Sequence, residues 1–497
     1  MTPLLPIVLA SLLATTDQTN HAAEFSLVQV IVTTQEPHPI LPWQNRETSI
    51  RVGYGVAIDG GLILTTEHLV RHSRLVELRK PRVGEKKAAS VLIADSQVNL
   101  ALLRAPQDSD PPSPALAVDG TFTRHARLTI LQFDETSEVQ RGDAQTVQMM
   151  MAPLSGAPHV SLAASLLTDL NVNGEGAPVV VDGKLVGLMM SYSRGERVGH
   201  MVPGPVIARF MELVRSPRYP GFSSAGFTWA LLIDPVKRRY LGVTDPGRGV
   251  LVLSCLPASG ASEVLKPNDV IMAWDGKPVD NMGYYMDPDL GRMELSHLTK
   301  IRSRVGDAVP VSIIRDRKPM SVRLSVGYWN DSDNLIPEGL EGEPTEYLVH
   351  GGLLIRELTG RYLQAGGGDW RQNADPRLTN LYLTHRMNPE KPGDRVVILS
   401  IVLPDPVNVG YQEFMNSVVT HINRQPVRNM RDVFRVFDAD GGISRVTLKN
   451  VGVDLVLAPA AAAEANDRIS RNFGIPALQY RRAEGNGAPP RNRTESP

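Results

Sequence analysis

Leu62-Ile63-Leu64-Thr65-Thr66-Glu67-His68-Leu69-Val70 decides how the first half of this chain is read. An apolar run at 62–65 ends on two threonines and delivers a histidine, His68, just beyond it. Similar short runs continue on both sides. Residues 25–34 alternate and are rich in branched side chains, and further runs fall at 51–58, 75–78, 89–93, 100–104, 127–133, 145–152, 178–181 and 185–190. Strands of this length, separated by turn residues, predict an all-β barrel or sandwich. Residues 206–215 read as a short amphipathic helix, and the Pro/Gly stretch at 216–222 (SPRYPGF) as a linker.

A second unit follows at 223–330, with strands at 249–254, 269–274, 308–315 and 321–326, a helical turn at 262–265 and a tight turn at Asp275-Gly276. A polar, acidic link spans 330–343. Residues 345–458 repeat the plan, with runs at 395–401, 410–415, 419–422, 444–448 and 454–457 and a helix at 430–437. The two units form a weak internal repeat of about 110 residues. Residues 460–473 predict a terminal helix, and the polar tail 481–497 predicts disorder.

The 497 residues suggest about three domains at roughly 150 residues each. Lys plus Arg (52) balances Asp plus Glu (53), which argues against a general binder of nucleic acid or anionic membranes. The 42 glycines and 38 prolines imply many turns. The single cysteine, Cys255, excludes an internal disulfide framework and cysteine-ligated clusters, and beside an apolar strand it reads as a packed residue. The 11-residue apolar run at 4–14 is short of the roughly 20 needed to span a bilayer. Residues 1–23 are therefore read as a signal peptide and the chain as exported, periplasmic or extracytoplasmic, without integral membrane contact.

Several windows, in order, resemble the Deg/HtrA serine proteases, closest to the plant-type Deg proteases with two PDZ domains. Val52-Gly53-Tyr54-Gly55-Val56 resembles the family's Gly-rich strand before the histidine, and 62–70 its histidine window. Asp95 with Asn99-Leu100-Ala101-Leu102-Leu103 is similar to the aspartate window. Asn171-Val172-Asn173-Gly174-Glu175-Gly176-Ala177-Pro178 is similar to the serine window, and Val198-Gly199-His200-Met201-Val202-Pro203 to the strand that follows. The resemblance implies a mainly β fold: a trypsin-like double β-barrel at 24–216, then two PDZ-like α+β domains at 217–330 and 345–480, the second carrying the C-terminal helix.

The same resemblance places the catalytic roles at Glu175, His68 and Asn99, and of the three only the histidine is present. Acyl transfer needs a hydroxyl nucleophile, a histidine base and a carboxylate that fixes its tautomer. Glu175 has no hydroxyl, and the nearest serines in sequence are Ser165 and Ser191. Replacing the triad aspartate by asparagine costs about 10⁴ in turnover. Asp95 already matches the window's other aspartate. Asn173 stands where a glycine opens the oxyanion loop, and a carboxylate at 175 opposes the charge an oxyanion develops. A pseudoprotease is the leading expectation. An acid/base pair of Glu175 with His68 is another reading. His68 and His72, at i and i+4, could share a helix face, but H-E-x-x-H is absent and no metal site is expected. Asp438 and Asp440, before Gly441-Gly442, read as a turn rather than a calcium loop.

In the first PDZ-like unit, 256–261, 265–271 and 275–279 resemble the PDZ pattern. PDZ domains add a peptide as a strand to an open sheet edge, and a loop of backbone N–H groups caps its carboxylate. The resemblance assigns that loop to Tyr240, Leu241, Gly242 and Val243, with Arg238 and Arg239 upstream as added positive charge. In the second unit Gly351-Gly352-Leu353-Leu354 takes the corresponding place, although Asp405-Pro406-Val407-Asn408 departs from the pattern. The expected partners are extended or unfolded polypeptides or protein C-termini, bound by a non-catalytic scaffold, regulator or holdase. The alternatives are an active serine endopeptidase of protein quality control and a structural subunit. The resemblance also implies homo-oligomers or assembly with active paralogues. No cofactor and no nucleic acid is expected.

Overall fold

The computed structural model describes residues 23–80, 85–105, 114–121, 127–134, 138–154, 159–168, 175–339, 344–439 and 442–482. Residues 1–22 of the expected leader, 483–497 of the expected tail, Asn173 and Asp440 lie outside the described residues.

Two closed barrels come first. One runs, in spatial order, through Leu27–Thr34, Ser49–Ile58, Leu62–Thr65, Leu100–Arg104, Lys86–Asp95 and Ser73–Arg79. The other runs through Pro178–Val181, Lys184–Ser193, Val198–Pro203, Val160–Thr168, Val139–Pro153 and Arg127–Phe133. Closure removes free strand edges, and alternate residues of each strand fill the interior. Val56, Leu64, Leu100 and Leu102 of the first barrel share a buried cluster with Ile130, Leu162, Val179 and Leu188 of the second. The helix Gly204–Val214 begins with Pro205 in its first turn and buries Val206, Ile207 and Phe210 against the second barrel. Burying a side chain such as Phe210 contributes about 1.5–3 kcal/mol.

The strand Val160–Thr168 has no counterpart in the sequence reading. Its small and apolar residues are buried on both faces, so the alternation that marks a half-exposed strand is missing. Residues 410–415 are a correction of the opposite kind. Tyr411–Phe414 is a 3-10 turn, entered through Gly410 at φ +87°.

The third and fourth units are built on one plan. The third orders its strands Phe227–Ala230, Val250–Cys255, Val270–Trp274, Ala308–Arg315 and Lys318–Ser325. The fourth repeats that path as Leu353–Glu357, Val397–Val402, Ser417–Ile422, Ser444–Leu448 and Asp454–Leu457, and then adds Tyr347–His350 and Gln479–Tyr480 beyond Leu353–Glu357. Helices Met430–Ala439 and Pro459–Phe473 complete the fourth unit. Cys255 is half-buried in the third, with its thiol pKa raised by burial.

The described part of the link, residues 330–339, is packed rather than loose. Asp331, Asn334 and Glu338 are buried, and Asp331 accepts from the Glu338 N–H at 2.6 Å and from Asn334 Nδ2 at 3.0 Å. Glu338 in turn accepts from the Tyr382 hydroxyl at 2.5 Å, on the helix Pro376–His385.

Both later units dock on the barrels. Gln97 Nε2 donates to the Trp329 carbonyl at 3.0 Å, and Lys300 Nζ donates to the carbonyls of Gln97 and Val160 at 2.8 and 2.7 Å. From the fourth unit, the buried Arg356 donates to the carbonyls of Pro39 and Ile40 at 2.7 and 3.1 Å, and Tyr347 meets the Trp43 ring at 5.9 Å.

Candidate functional site

The positions read as a degenerate triad converge where the two barrels meet. His68 sits on a single helical turn, Glu67–Val70, held from behind by the buried Glu67–Arg71 pair at 2.5 Å. Glu175 enters from the second barrel, its backbone carbonyl accepting from the Tyr54 N–H at 2.9 Å. Gly176 follows at φ +75°, and a Cβ there would lie 2.1 Å from the Tyr54 carbonyl oxygen, so glycine is required.

The Glu175 carboxylate is engaged on both oxygens. Oε1 accepts from the Thr66 hydroxyl at 2.6 Å, and Oε2 lies 3.3 Å from His68 Nδ1. Thr66 is fully buried, so its hydroxyl holds Glu175 and cannot reach a substrate. The sequence reading did not single out Thr66; the contact joins residues 109 positions apart. Asn99, in the left-handed region at φ +55°, accepts through Oδ1 from the backbone N–H of His68 at 2.8 Å. It positions the histidine's main chain. Among the described residues, the imidazole's partner is Glu175.

A carboxylate and an imidazole in this arrangement can exchange a proton or form an ion pair. They offer no hydroxyl for an acyl intermediate, and the carboxylate's charge disfavours an oxyanion beside it. Ser165 and Ser191 lie on the strands Val160–Thr168 and Lys184–Ser193 of the second barrel.

His72 corrects the expectation of two histidines on one helix face. The turn ends at Val70, and His72 takes φ +58° and is buried. Its Nε2 accepts from Arg361 of the fourth unit at 2.7 Å. Burial, reinforced by that guanidinium, pushes the His72 pKa down to about 4. Nδ1 therefore carries the proton, and it has no partner among the described residues. Arg361 also pairs with Glu36, which pairs with Arg51 at 3.0 Å, which donates to the His68 carbonyl at 2.8 Å. Burial would raise the Glu36 pKa, but Arg361, with smaller contributions from His72 and Arg51, holds it low. A continuous charged chain thus runs from the fourth unit to the histidine.

Asp95 is buried under the Tyr219 hydroxyl at 2.5 Å and the Gln97 N–H at 2.8 Å, so it braces the loop before Asn99. Burial raises its pKa. Asp438 pairs with Arg481 at 2.6 Å, and that arginine lies over the Phe434 ring at 4.4 Å.

The loop Tyr240, Leu241, Gly242, Val243 does not present the free donors expected of it. It is the exit of the helix Pro235–Tyr240, and the N–H groups of Leu241, Gly242 and Val243 donate to the carbonyls of Lys237, Arg239 and Arg238. The strand that follows, Val250–Cys255, is paired on both sides. Arg238 is buried and donates to the carbonyls of Leu232 and Asp245, so it adds no outward charge.

The open edge lies earlier in the chain. Phe227–Ala230 ends the sheet, and among the described residues no strand pairs with its outer side. Gly226, at φ +75°, precedes it, and Trp229 lies over Gly283, ahead of helical residues 295–302. A glycine at the entrance to an edge strand was the available signal; the sequence reading went to a later glycine. In the fourth unit the corresponding edge, Leu353–Glu357, is covered by Tyr347–His350, folded back through Gly351-Gly352. The second side of Tyr347–His350 is covered by Gln479–Tyr480. The Gly351 N–H donates to Asn466 Oδ1 at 2.7 Å.

A family profile for the PDZ domain matches residues 336–479. Protease Do-like 2, chloroplastic, of Arabidopsis thaliana is 25% identical over 468 residues, covering 92% of this chain and 75% of that protein. Protease Do-like 4, mitochondrial, of the same plant is 23% identical over 467 residues, covering 91% and 84%. Among solved structures, a variant of the HtrA-type protease AlgW with decapeptide superposes with a TM-score of 0.51 at 15% identity, over 63% of this chain and 98% of that one. At that identity the likeness carries the fold, a trypsin-like double barrel followed by a PDZ domain.

Proposed function

We propose that this chain, Deg/HtrA-like in sequence and fold, is a non-proteolytic member of that group that binds extended polypeptide. The observation that carries the reading is Glu175. A carboxylate stands at the position of the nucleophile, fastened by Thr66 at 2.6 Å and by His68 at 3.3 Å. Asn99 supports the same conclusion, because its recorded bond goes to the histidine backbone and supplies no carboxylate to the ring. Without a nucleophile the remaining capacity is binding. The free edge at Phe227–Ala230 suits strand addition by an extended segment. The leader-like residues 1–23 support action outside the cytoplasm, and assembly with itself or with active paralogues fits the same role.

The test is incubation of the purified protein with unfolded casein and with a serine-directed phosphonate, following cleavage, covalent labelling and casein aggregation together. Suppressed aggregation without cleavage or label is the expected outcome. Covalent labelling between residues 25 and 215 that disappears on substitution of one residue there would overturn the reading and make the chain an active endopeptidase. Glu175→Ser alone is expected to stay inactive, since Asn99 leaves the imidazole without its carboxylate. Glu175→Ser with Asn99→Asp and Asn173→Gly is the smallest set expected to recover cleavage.

A further inference from the structure

Residues 231–240 (LLIDPVKRRY) form an outward projection between two strands of the third unit. Leu232 and Arg238 point inward and are buried, while their neighbours point out. Leu231 and Ile233, two apart in extended chain, are 46% and 58% exposed. Val236 and Tyr240, at i and i+4 on the helix Pro235–Tyr240, are 63% and 77% exposed. Four large apolar side chains thus stand in water within ten residues. Scattered apolar exposure is ordinary, but a contiguous group is not.

Hydrogen bonds brace the segment. Arg238 donates to the carbonyl of Leu232 within it and to that of Asp245 beyond its end, and Asp234 caps the helix through the Val236 N–H at 2.8 Å. A buried arginine thus holds in shape a segment whose outer surface is apolar.

Positive charge lies close to this surface. Lys237 and Arg239 are exposed beside the apolar pair. The hairpin tip Arg317-Lys318 lies against the same element, because a Cβ on Gly242 would fall 2.7 Å from Arg317 Cα. None of these four cations has a carboxylate partner among the described residues. The nearby acids are Asp234, held in its cap, Asp245, paired with Arg248 at 3.3 Å, and Asp316. The patch is locally cationic on a chain whose overall net charge is -1.

From this combination we infer that residues 231–240, with the 316–318 turn, dock the protein peripherally on an anionic lipid surface. The projecting aliphatic side chains enter the headgroup boundary, Tyr240 lies at that boundary, and the four cations meet lipid phosphates. The charge complementarity selects anionic lipid, and exposed apolar side chains suit a bilayer, which takes them without a matching groove. The surface begins at Leu231, directly after the Phe227–Ala230 edge, and shares no residue with that edge or with the Glu175 site, so it adds a location to the binding function without replacing it.

The experiment is vesicle flotation of the full chain with phosphatidylcholine alone and with phosphatidylcholine mixed with phosphatidylglycerol. Binding to the mixed vesicles, weakened by salt, is expected. Val236→Ser with Tyr240→Ser, and separately Lys237→Glu with Arg239→Glu, should each weaken it by about tenfold or more. All four positions are exposed, and an unchanged thermal transition verifies each fold. Tyr240→Trp supplies an independent readout: its emission should shift to the blue on mixed vesicles. No flotation, equal flotation on neutral vesicles, or flotation indifferent to both double variants would overturn the proposal. Light scattering that shows a mass change in Val236→Ser with Tyr240→Ser, without vesicle binding by the parent, would reassign the surface to contact between copies of the chain.

Discussion

The third and fourth units share a five-strand path and differ at one edge. In the third, Phe227–Ala230 ends the sheet; in the fourth, Leu353–Glu357 is followed by two more strands. The difference begins in a few residues. Gly351 and Gly352, both at positive φ, let Tyr347–His350 fold back antiparallel on the edge that a ligand would otherwise take. His350 then packs on Phe437 of the neighbouring helix, with ring centroids 4.7 Å apart. In the third unit the preceding pair Ser223–Ser224 bonds instead to Gly327–Tyr328, leaving the edge bare. One plan thus yields a module able to accept a strand and a module already supplied with one. The supplied module is also the one that reaches the barrel through Arg356 and Arg361.

The largest expected effect tests what closes the fourth unit. A Cβ on Gly352 would fall 2.2 Å from Asn408 Nδ2 and 2.4 Å from the Leu403 carbonyl oxygen, at φ +87°. Gly352→Val should destabilise that unit by more than about 4 kcal/mol, seen as a separate early transition in chemical denaturation. A single transition at the parent's midpoint would mean that the hairpin is not what holds Tyr347–His350 in place. Arg356→Ala comes next. It leaves the buried Pro39 carbonyl without this donor, removes the bond to Ile40 as well, and should cost about 1–3 kcal/mol. Faster amide exchange in residues 35–46, with the third unit unaffected, is the checking measurement.

Acid should separate the two attachments of the fourth unit by sign. His72 has a folded pKa of about 4, below its ordinary 6.5. Its contribution is complete above about pH 6.5 and is lost as pH falls toward 4, up to about 3 kcal/mol. Asp331, in the link between the units, is raised by burial to about 6 from 3.8. Its contribution is complete below its unfolded value and is lost as pH rises through about 6. Denaturation midpoints across pH 4–7 should show the first slope flattened in His72→Asn and the second in Asp331→Asn.

The smallest expected effect is the most direct contrast. With an extended peptide at about ten times its Kd, amides of Phe227–Ala230 should gain about tenfold protection from exchange. Those of Leu353–Glu357 should not change. Protection at both edges would erase the distinction drawn between the units.

Much of the strand plan was legible because it obeys local rules. Leu62–Thr65, Leu100–Arg104, Arg127–Phe133, Pro178–Val181 and Ala308–Arg315 are short, apolar or branched, and bounded by turns. Val160–Thr168 was not legible, since Ala163, Ala164 and Ser165 break the branched pattern and both faces are buried. The site divides in the same way. His68, Asn99 and Glu175 could be found from windows in the sequence. The link of Thr66 to Glu175 and that of His72 to Arg361 could not, because each joins residues more than a hundred positions apart. The loop at 240–243 was misplaced because a glycine near a strand fits several roles, and only the pairing of Val250–Cys255 on both sides decides among them.

The bond from Arg361 to Glu36 spans 325 residues of chain. During synthesis the first barrel is made long before its partner exists. At roughly 5–20 residues per second, Glu36 and His72 wait on the order of 16–65 s for Arg361. Throughout that interval the barrel must stand without its bracing charge, and the loop at 35–46 without Arg356. Completion of the fourth unit supplies the last of these partners, so a chain interrupted upstream would carry His68, Asn99 and Glu175 and still lack the bonds that Arg356 and Arg361 bring to the first barrel.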